Sequence, residues 1–224
     1  MNNAKHLAQT GDDNTIDETL FQRIAQDLDH QGYSILPVAL PEDLATALYL
    51  HQQSMDESKY IHAGIGRGEA YLKNHFVRTD EICWINGESE AGKQWLKWTG
   101  DMQRFLNRRL FLGLFSFESH FAHYAPGDFY KRHYDAFKGE ANRVLTVVVY
   151  LNPGWLPADG GELVMYQDDH DKEGIKVVPL MGTVVVFLSE DFPHEVLPAT
   201  RDRYSIAGWF RVNTSVFEKV DPPV

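Results

Sequence analysis

In the segment KRHYDAF, residues 131–137, His133 and Asp135 stand one residue apart. On a β-strand, positions i and i+2 point to the same side, so this imidazole and carboxylate would converge on one point. The pair suits a borderline divalent ion, and two histidines with one carboxylate and open positions form the set used for non-haem Fe(II). The second histidine must come from a strand able to close onto the first. Among ten histidines, His194 stands out, because it opens HEVLPA after the turn EDFP and the strand-like run GTVVVFL, at a strand mouth as His133 does. His120 and His123 are rivals, but three residues apart they fall on opposite faces of a strand, which favours supporting roles over ligation.

A second chemical feature is RDRYSIAGWFRVN. Alternation puts Arg203, Ser205, Ala207 and Trp209 on one face, and Tyr204, Ile206 and Phe210 on the other. An arginine that shares a face with a serine and a tryptophan is either an edge residue reaching solvent or a buried guanidinium awaiting a carboxylate, which it can grip at two points. In the run RVLTVVVYLN, Thr146, Val148 and Tyr150 also share a face, and their hydroxyls would be costly in a dry core without partners. A carboxylate bound by Arg203 would supply one.

These residues need a scaffold. Residues 1–14 are polar and aperiodic and predict a mobile tail. Thr15 and Glu18 form a capping-box pattern ahead of Leu20, Phe21, Ile24 and Leu28, and Gly32 suits the helix stop. YSILPV reads as a short strand, Pro41 as the opening of a second helix, and about Glu90 to Leu110 as a third, with Trp95, Trp98, Met102 and Leu106 on its buried face. Periodicity fades between Lys59 and Asn86, where Gly64, Gly66 and Gly68 point to a loop; GIGRG lacks the strand, helix and Lys-Ser or Lys-Thr context of a phosphate cradle. From Ser116 onward, short β-rich runs alternate with turn chemistry such as APG, NPGW and ADGG. The pattern predicts one domain over 15–224, with helical support over 15–115 and a β-core over 116–212, a sandwich or barrel with helices outside.

Composition narrows the partners. The chain of 224 residues is 43% hydrophobic and carries a formal net charge of −11. That balance opposes a broad phosphate-binding surface and argues against nucleic acid. No apolar run approaches the roughly 18 residues a membrane helix needs, so no membrane partner is expected. The first residues lack a signal-peptide pattern and the single cysteine, Cys83, cannot form an internal disulfide, which predicts a cytoplasmic protein and a packing role for that thiol.

His133-Tyr-Asp135, His194 and Arg203 resemble the HxD...H...R pattern of the Fe(II) and 2-oxoglutarate dioxygenases. The likeness is nearest to the prolyl hydroxylase group that includes the hypoxia-inducible-factor enzymes, and YAPGDFYKRHYD, RVLTVVVYLN, GGELVMY, DFPHEV and RYSIAGWF match that group's blocks in order. The resemblance implies an α+β protein with a double-stranded β-helix core of jelly-roll or cupin type and N-terminal helices packed outside. It implies iron held by His133, Asp135 and His194, with Arg203 on the distal carboxylate of 2-oxoglutarate and Tyr150 assisting. Thr146 and Trp209 match pocket-lining positions, and Tyr124 and Tyr130 match tyrosines near the cofactor; on an ideal strand Tyr130 would face away from His133. Further implied are consumption of O2, release of succinate and carbon dioxide, dependence on ascorbate, and 4-hydroxylation of a prolyl residue in a protein, with elongation factor Tu the candidate. The stretch 62–80, with Arg78 and Asp80, lies where the family has a loop that closes over substrate. Fold and iron site leave a small-molecule hydroxylase open. A nucleic-acid demethylase would carry two arginines with five residues between them, whereas seven lie between Arg203 and Arg211. A non-catalytic sensor would have lost a ligand, and none is lost.

Overall fold

The computed structural model describes residues 13–63, 77–136 and 142–213. The expected tail up to residue 12 and the glycine-containing stretch 64–76 lie outside the described residues. Among the described residues, three α-helices precede or interleave with eleven strands: α1 (Asp13–Gln31), β1 (Tyr33–Leu36), α2 (Glu42–Ser54), β2 (Ile61–His62), β3 (Glu81–Trp84), α3 (Glu90–Leu110), β4 (Leu114–Tyr124), β5 (Tyr130–His133), β6 (Arg143–Tyr150), β7 (Leu163–Met165), β8 (Ile175–Val177), β9 (Val184–Leu188), β10 (His194–Val196) and β11 (Arg203–Val212). No helix among them is long and apolar enough to cross a membrane.

The first helix starts at Asp13, two residues before Thr15, so Thr15 is not its cap. GDDNT offers several consecutive residues that cap equally well, and the local signal cannot choose among them. The third helix matches its expected span. Ser89 caps it by accepting from the Gly92 amide at 3.0 Å, and Phe111 ends it in the left-handed region. The Asn107 side chain then bonds both the amide and the carbonyl of Leu114 at 2.8 Å, turning the chain into β4.

The strands form two antiparallel sheets. The larger runs β1-β9-β6-β11-β4-β3-β2, and the smaller β5-β10-β7-β8. The larger sheet thus draws three strands from the part expected to be helical; β2 and β3 are too short to leave a period in the sequence. One apolar core joins the three helices to the outward residues Leu145, Val147, Val149, Val184, Val186, Ile206 and Phe210. A second fills the space between the sheets, with Tyr124, Val148, Tyr150, Leu163, Met165, Val185 and Phe187. Strands β6, β9 and β11 are therefore buried on both faces, which is why their valine runs lack a polar side. This is the double-stranded β-helix with helices packed outside it.

Close approach is tightest at Gly208 of β11, where a Cβ would lie 2.6 Å from Phe117 Cζ and 2.8 Å from Ser119 Cβ. Gly208→Ala is expected to destabilise the protein by about 1–3 kcal/mol, the usual cost of overpacking. Thermal unfolding measures it; an unchanged melting temperature would mean that β4 and β11 are less tightly apposed than described.

Candidate metal centre

The smaller sheet brings His133 and His194 face to face, since they are directly paired in the antiparallel register of β5 and β10. Asp135 lies just beyond the end of β5, in a bend, and its carboxylate turns back between them. His133 Nε2 lies 3.7 Å from Asp135 Oδ1, and His194 Nε2 lies 3.6 Å from Asp135 Oδ2. One ligating atom from each of the three falls within 4.8 Å of the others.

Proton placement gives this cluster its meaning. His133 Nδ1 lies 2.8 Å from the Lys131 carbonyl, and His194 Nδ1 lies 3.1 Å from the Phe192 carbonyl. A carbonyl only accepts, so each Nδ1 carries a hydrogen and each Nε2 is the nitrogen turned toward Asp135. Burial, with His133 close by, pushes the pKa of His194 down to about 4, so it is neutral at pH 7. Burial alone would raise Asp135, but the adjacent His194 and His133 hold it well below the usual carboxylate range. Two imidazole nitrogens and a carboxylate thus converge on one point. That spacing suits a divalent cation, and the donor set fits Fe(II).

Thr146 is placed differently from the expectation that its hydroxyl would meet a carboxylate bound by Arg203. It donates to Asp135 Oδ2 at 2.7 Å and sits 2.9 Å from Ser189 Oγ, so it holds the cluster's own carboxylate. Tyr130 is a second correction. Val196 pairs with Tyr130 while His194 pairs with His133, so β5 carries one extra residue against β10. This bulge cancels the alternation and stacks the Tyr130 ring on His133, with centroids 3.6 Å apart at 15°. Behind Tyr130, the Arg78 guanidinium lies 4.3 Å from the ring centroid and is gripped by buried Asp80 at 2.8 and 2.6 Å. Spacing alone does not reveal that backing.

Beside Tyr124 and Tyr150 of the core between the sheets, Arg203 is 1% exposed. Its Nε donates to the Gly161 carbonyl at 2.8 Å and its Nη1 to Ser205 Oγ at 3.3 Å, while the rings of Tyr124 and Tyr150 flank it at 4.9 and 5.1 Å. Among the described residues no carboxylate forms an ion pair with it. The buried Tyr150 hydroxyl beside it also has no hydrogen-bond partner there. Burial pushes that phenol up to about 12, so it stays protonated and able to donate. An uncompensated buried cation is costly, and a carboxylate ligand would relieve it. Gly161, at φ +71, is required here: a Cβ would press 3.1 Å from Arg203 Cδ and 2.9 Å from Ala199 Cβ.

Trp209 lies opposite Thr146 in the pairing of β11 with β6, under the Arg143 guanidinium at 3.8 Å. Arg143 in turn bonds Glu118 at 2.8 Å. His120 packs against Trp84 and Trp209, and His123 pairs with Asp202 at 2.8 Å, so neither joins the cluster. Cys83 packs partly buried against the helical core.

A family model described as the 2OG-Fe(II) oxygenase superfamily matches residues 119–211, the span that holds His133, Asp135, His194 and Arg203. The chain is similar to the crystal structure of a Pseudomonas putida prolyl-4-hydroxylase, with 40% identity over 86% of this chain and 98% of that one, at a TM-score of 0.75. It is also similar to a Trichoplax adhaerens prolyl hydroxylase in complex with a hypoxia inducible factor oxygen degradation domain peptide fragment, with 26% identity over 90% and 94% of the two chains and a TM-score of 0.73. A prolyl 4-hydroxylase structure from Phytophthora capsici shares the fold, with 20% identity over 93% of this chain and 68% of that one and a TM-score of 0.65.

Anaerobic Fe(II), or Mn(II) in its place, should raise the melting temperature, worth about 2.7 kcal/mol at a hundred times Kd. His194→Ala and Asp135→Asn should each abolish the rise. A full rise in either variant would put the ion elsewhere.

Proposed function

The chain belongs to the 2OG-Fe(II) oxygenase superfamily, and from that premise we propose that it 4-hydroxylates a prolyl residue within a protein, with elongation factor Tu the candidate substrate. It is a 2-oxoglutarate-dependent dioxygenase. The observation that carries the finer reading is the likeness to a bacterial prolyl-4-hydroxylase along most of both chains. The peptide bound to the Trichoplax enzyme supports a polypeptide substrate over a free metabolite.

In this reading His133 and His194 hold Fe(II) through Nε2 and Asp135 through its carboxylate. Arg203 pairs with a carboxylate of 2-oxoglutarate, and Tyr150 donates its free hydroxyl to the same group. Tyr124 walls that pocket beside the guanidinium. Thr146 orients Asp135, Tyr130 backs the His133 ring, and Trp209 lines the cavity next to Thr146. When bound, the iron and 2-oxoglutarate supply oxidation by O2, with release of succinate and carbon dioxide and delivery of one oxygen atom to the substrate. The apolar interior around Val148, Leu163, Met165 and Phe187 keeps water from that chemistry. Ascorbate sustains turnover by keeping iron ferrous, and the cytoplasm is the compartment where such a substrate is met.

Purified protein with Fe(II), 2-oxoglutarate, ascorbate and O2 should add one oxygen to a prolyl peptide of elongation factor Tu, read by mass spectrometry. Oxygen appearing on a free metabolite, with none on any protein of a cell extract, would favour a small-molecule hydroxylase instead. Arg203→Met should weaken 2-oxoglutarate binding about 100-fold or more, within the ~2–5 kcal/mol cost of removing one partner of a buried charge pair. Mn(II) stabilisation should survive that change. Unaltered 2-oxoglutarate affinity would remove Arg203 from its assigned role.

A further inference from the structure

Arg132 immediately precedes His133, and its guanidinium reaches across β10 to the far side of the smaller sheet. Its Nη1 donates to the Asp171 carbonyl at 3.0 Å, its Nη2 donates to the Asp168 carbonyl, and the group lies 3.7 Å above the Tyr166 ring. The Tyr166 hydroxyl donates to Glu195, the residue after His194. Its amide donates to the Pro193 carbonyl at 2.8 Å, the residue before His194. On the other side of His133, the Tyr134 hydroxyl donates to Asp169 at 3.3 Å.

The segment these groups grip is itself rigid. Asp168 Oδ1 accepts the amides of His170 and Asp171, and the Asp171 carboxylate accepts those of Gln167, Glu173 and Gly174. Those carboxylates are committed to backbone donors, which makes the turn an anchor and leaves it little capacity to take a cation of its own.

We propose that Arg132 is a positioning residue for the iron site, acting as a brace that ties the backbone on both sides of His133 and His194 to the 166–171 segment. The decisive detail is the Lys131 carbonyl that orients His133 through Nδ1: it belongs to the peptide bond whose nitrogen is that of Arg132. Holding the Arg132 side chain therefore fixes the plane of the peptide that aims the imidazole. The Phe192 carbonyl that orients His194 adjoins Pro193, which Tyr166 holds. The brace thus reaches both ring-orienting carbonyls without touching metal or substrate. It rests on the reading that His133 and His194 hold iron.

The test is anaerobic cobalt(II) titration of the apo-protein, followed by its visible absorption bands, at a temperature below the onset of melting. Arg132→Met should bind cobalt about 10–100-fold more weakly, as expected when groups that orient metal ligands are removed, and with altered bands. Arg132→Lys should recover only part of the loss, because one ammonium cannot span two carbonyls and stack on a ring. Equal affinity and identical bands in a cooperatively folded Arg132→Met protein, whatever its melting temperature, would overturn the brace while leaving the iron site standing. Where Arg132→Met does not fold, Arg132→Lys and Tyr166→Phe decide: at least threefold weaker cobalt binding in both supports the brace, and anything less in either overturns it. Wild-type protein that binds no cobalt overturns the iron site and the brace with it.

Discussion

Everything in this molecule turns on the opposition of three electron-pair donors. His133 and His194 each turn Nδ1 to a backbone carbonyl two residues away, and Asp135 has its own Oδ2 held by Thr146. The backbone therefore aims a cluster of three donors that suits a cation. The surrounding fold serves that cluster: two sheets enclose it, and helices pack on the outer side of the larger one.

The same logic recurs in the core between the sheets with the charge reversed. Arg203 is buried among aromatic rings, with a carbonyl and a hydroxyl for company and no anion among the described residues. A buried guanidinium and a three-donor cluster make one seat for a carboxylate and one for a cation, which together suit a ligand with a carboxylate at one end and metal-binding oxygens at the other. The β11 strand links the two seats, because Arg203 faces the interior near its start and Trp209, six residues on, lies beside Thr146.

Much of this was legible in the residues. Period-two alternation separated the faces of β6 and β11, and Arg203 was conspicuous because a guanidinium on an apolar face demands a partner. What stayed hidden depends on how strands are laid against one another. Nothing in YKRH marks the extra residue in β5, yet that residue decides where Tyr130 points. Thr146 could be assigned a polar role, but only the approach of the bend after β5 gives it Asp135 for a partner. Gly161 and Asp80 act through a carbonyl and through a neighbour's guanidinium, and neither function has a one-dimensional signature. The strands β2 and β3 were missed because two and four residues cannot display a period.

The unequal length of the strands sets where the protein gives way first. β5, β7, β8 and β10 span three or four residues each, whereas β4 and β11 on the other wall run to eleven and ten. Short ladders open at lower free energy than long, doubly covered ones. Deprived of iron, the chain would therefore keep its helical half closed while the wall bearing both histidines breathes, and amide exchange and protease nicking would concentrate there. Iron supply would then govern the lifetime of the polypeptide in a cell as well as its chemistry.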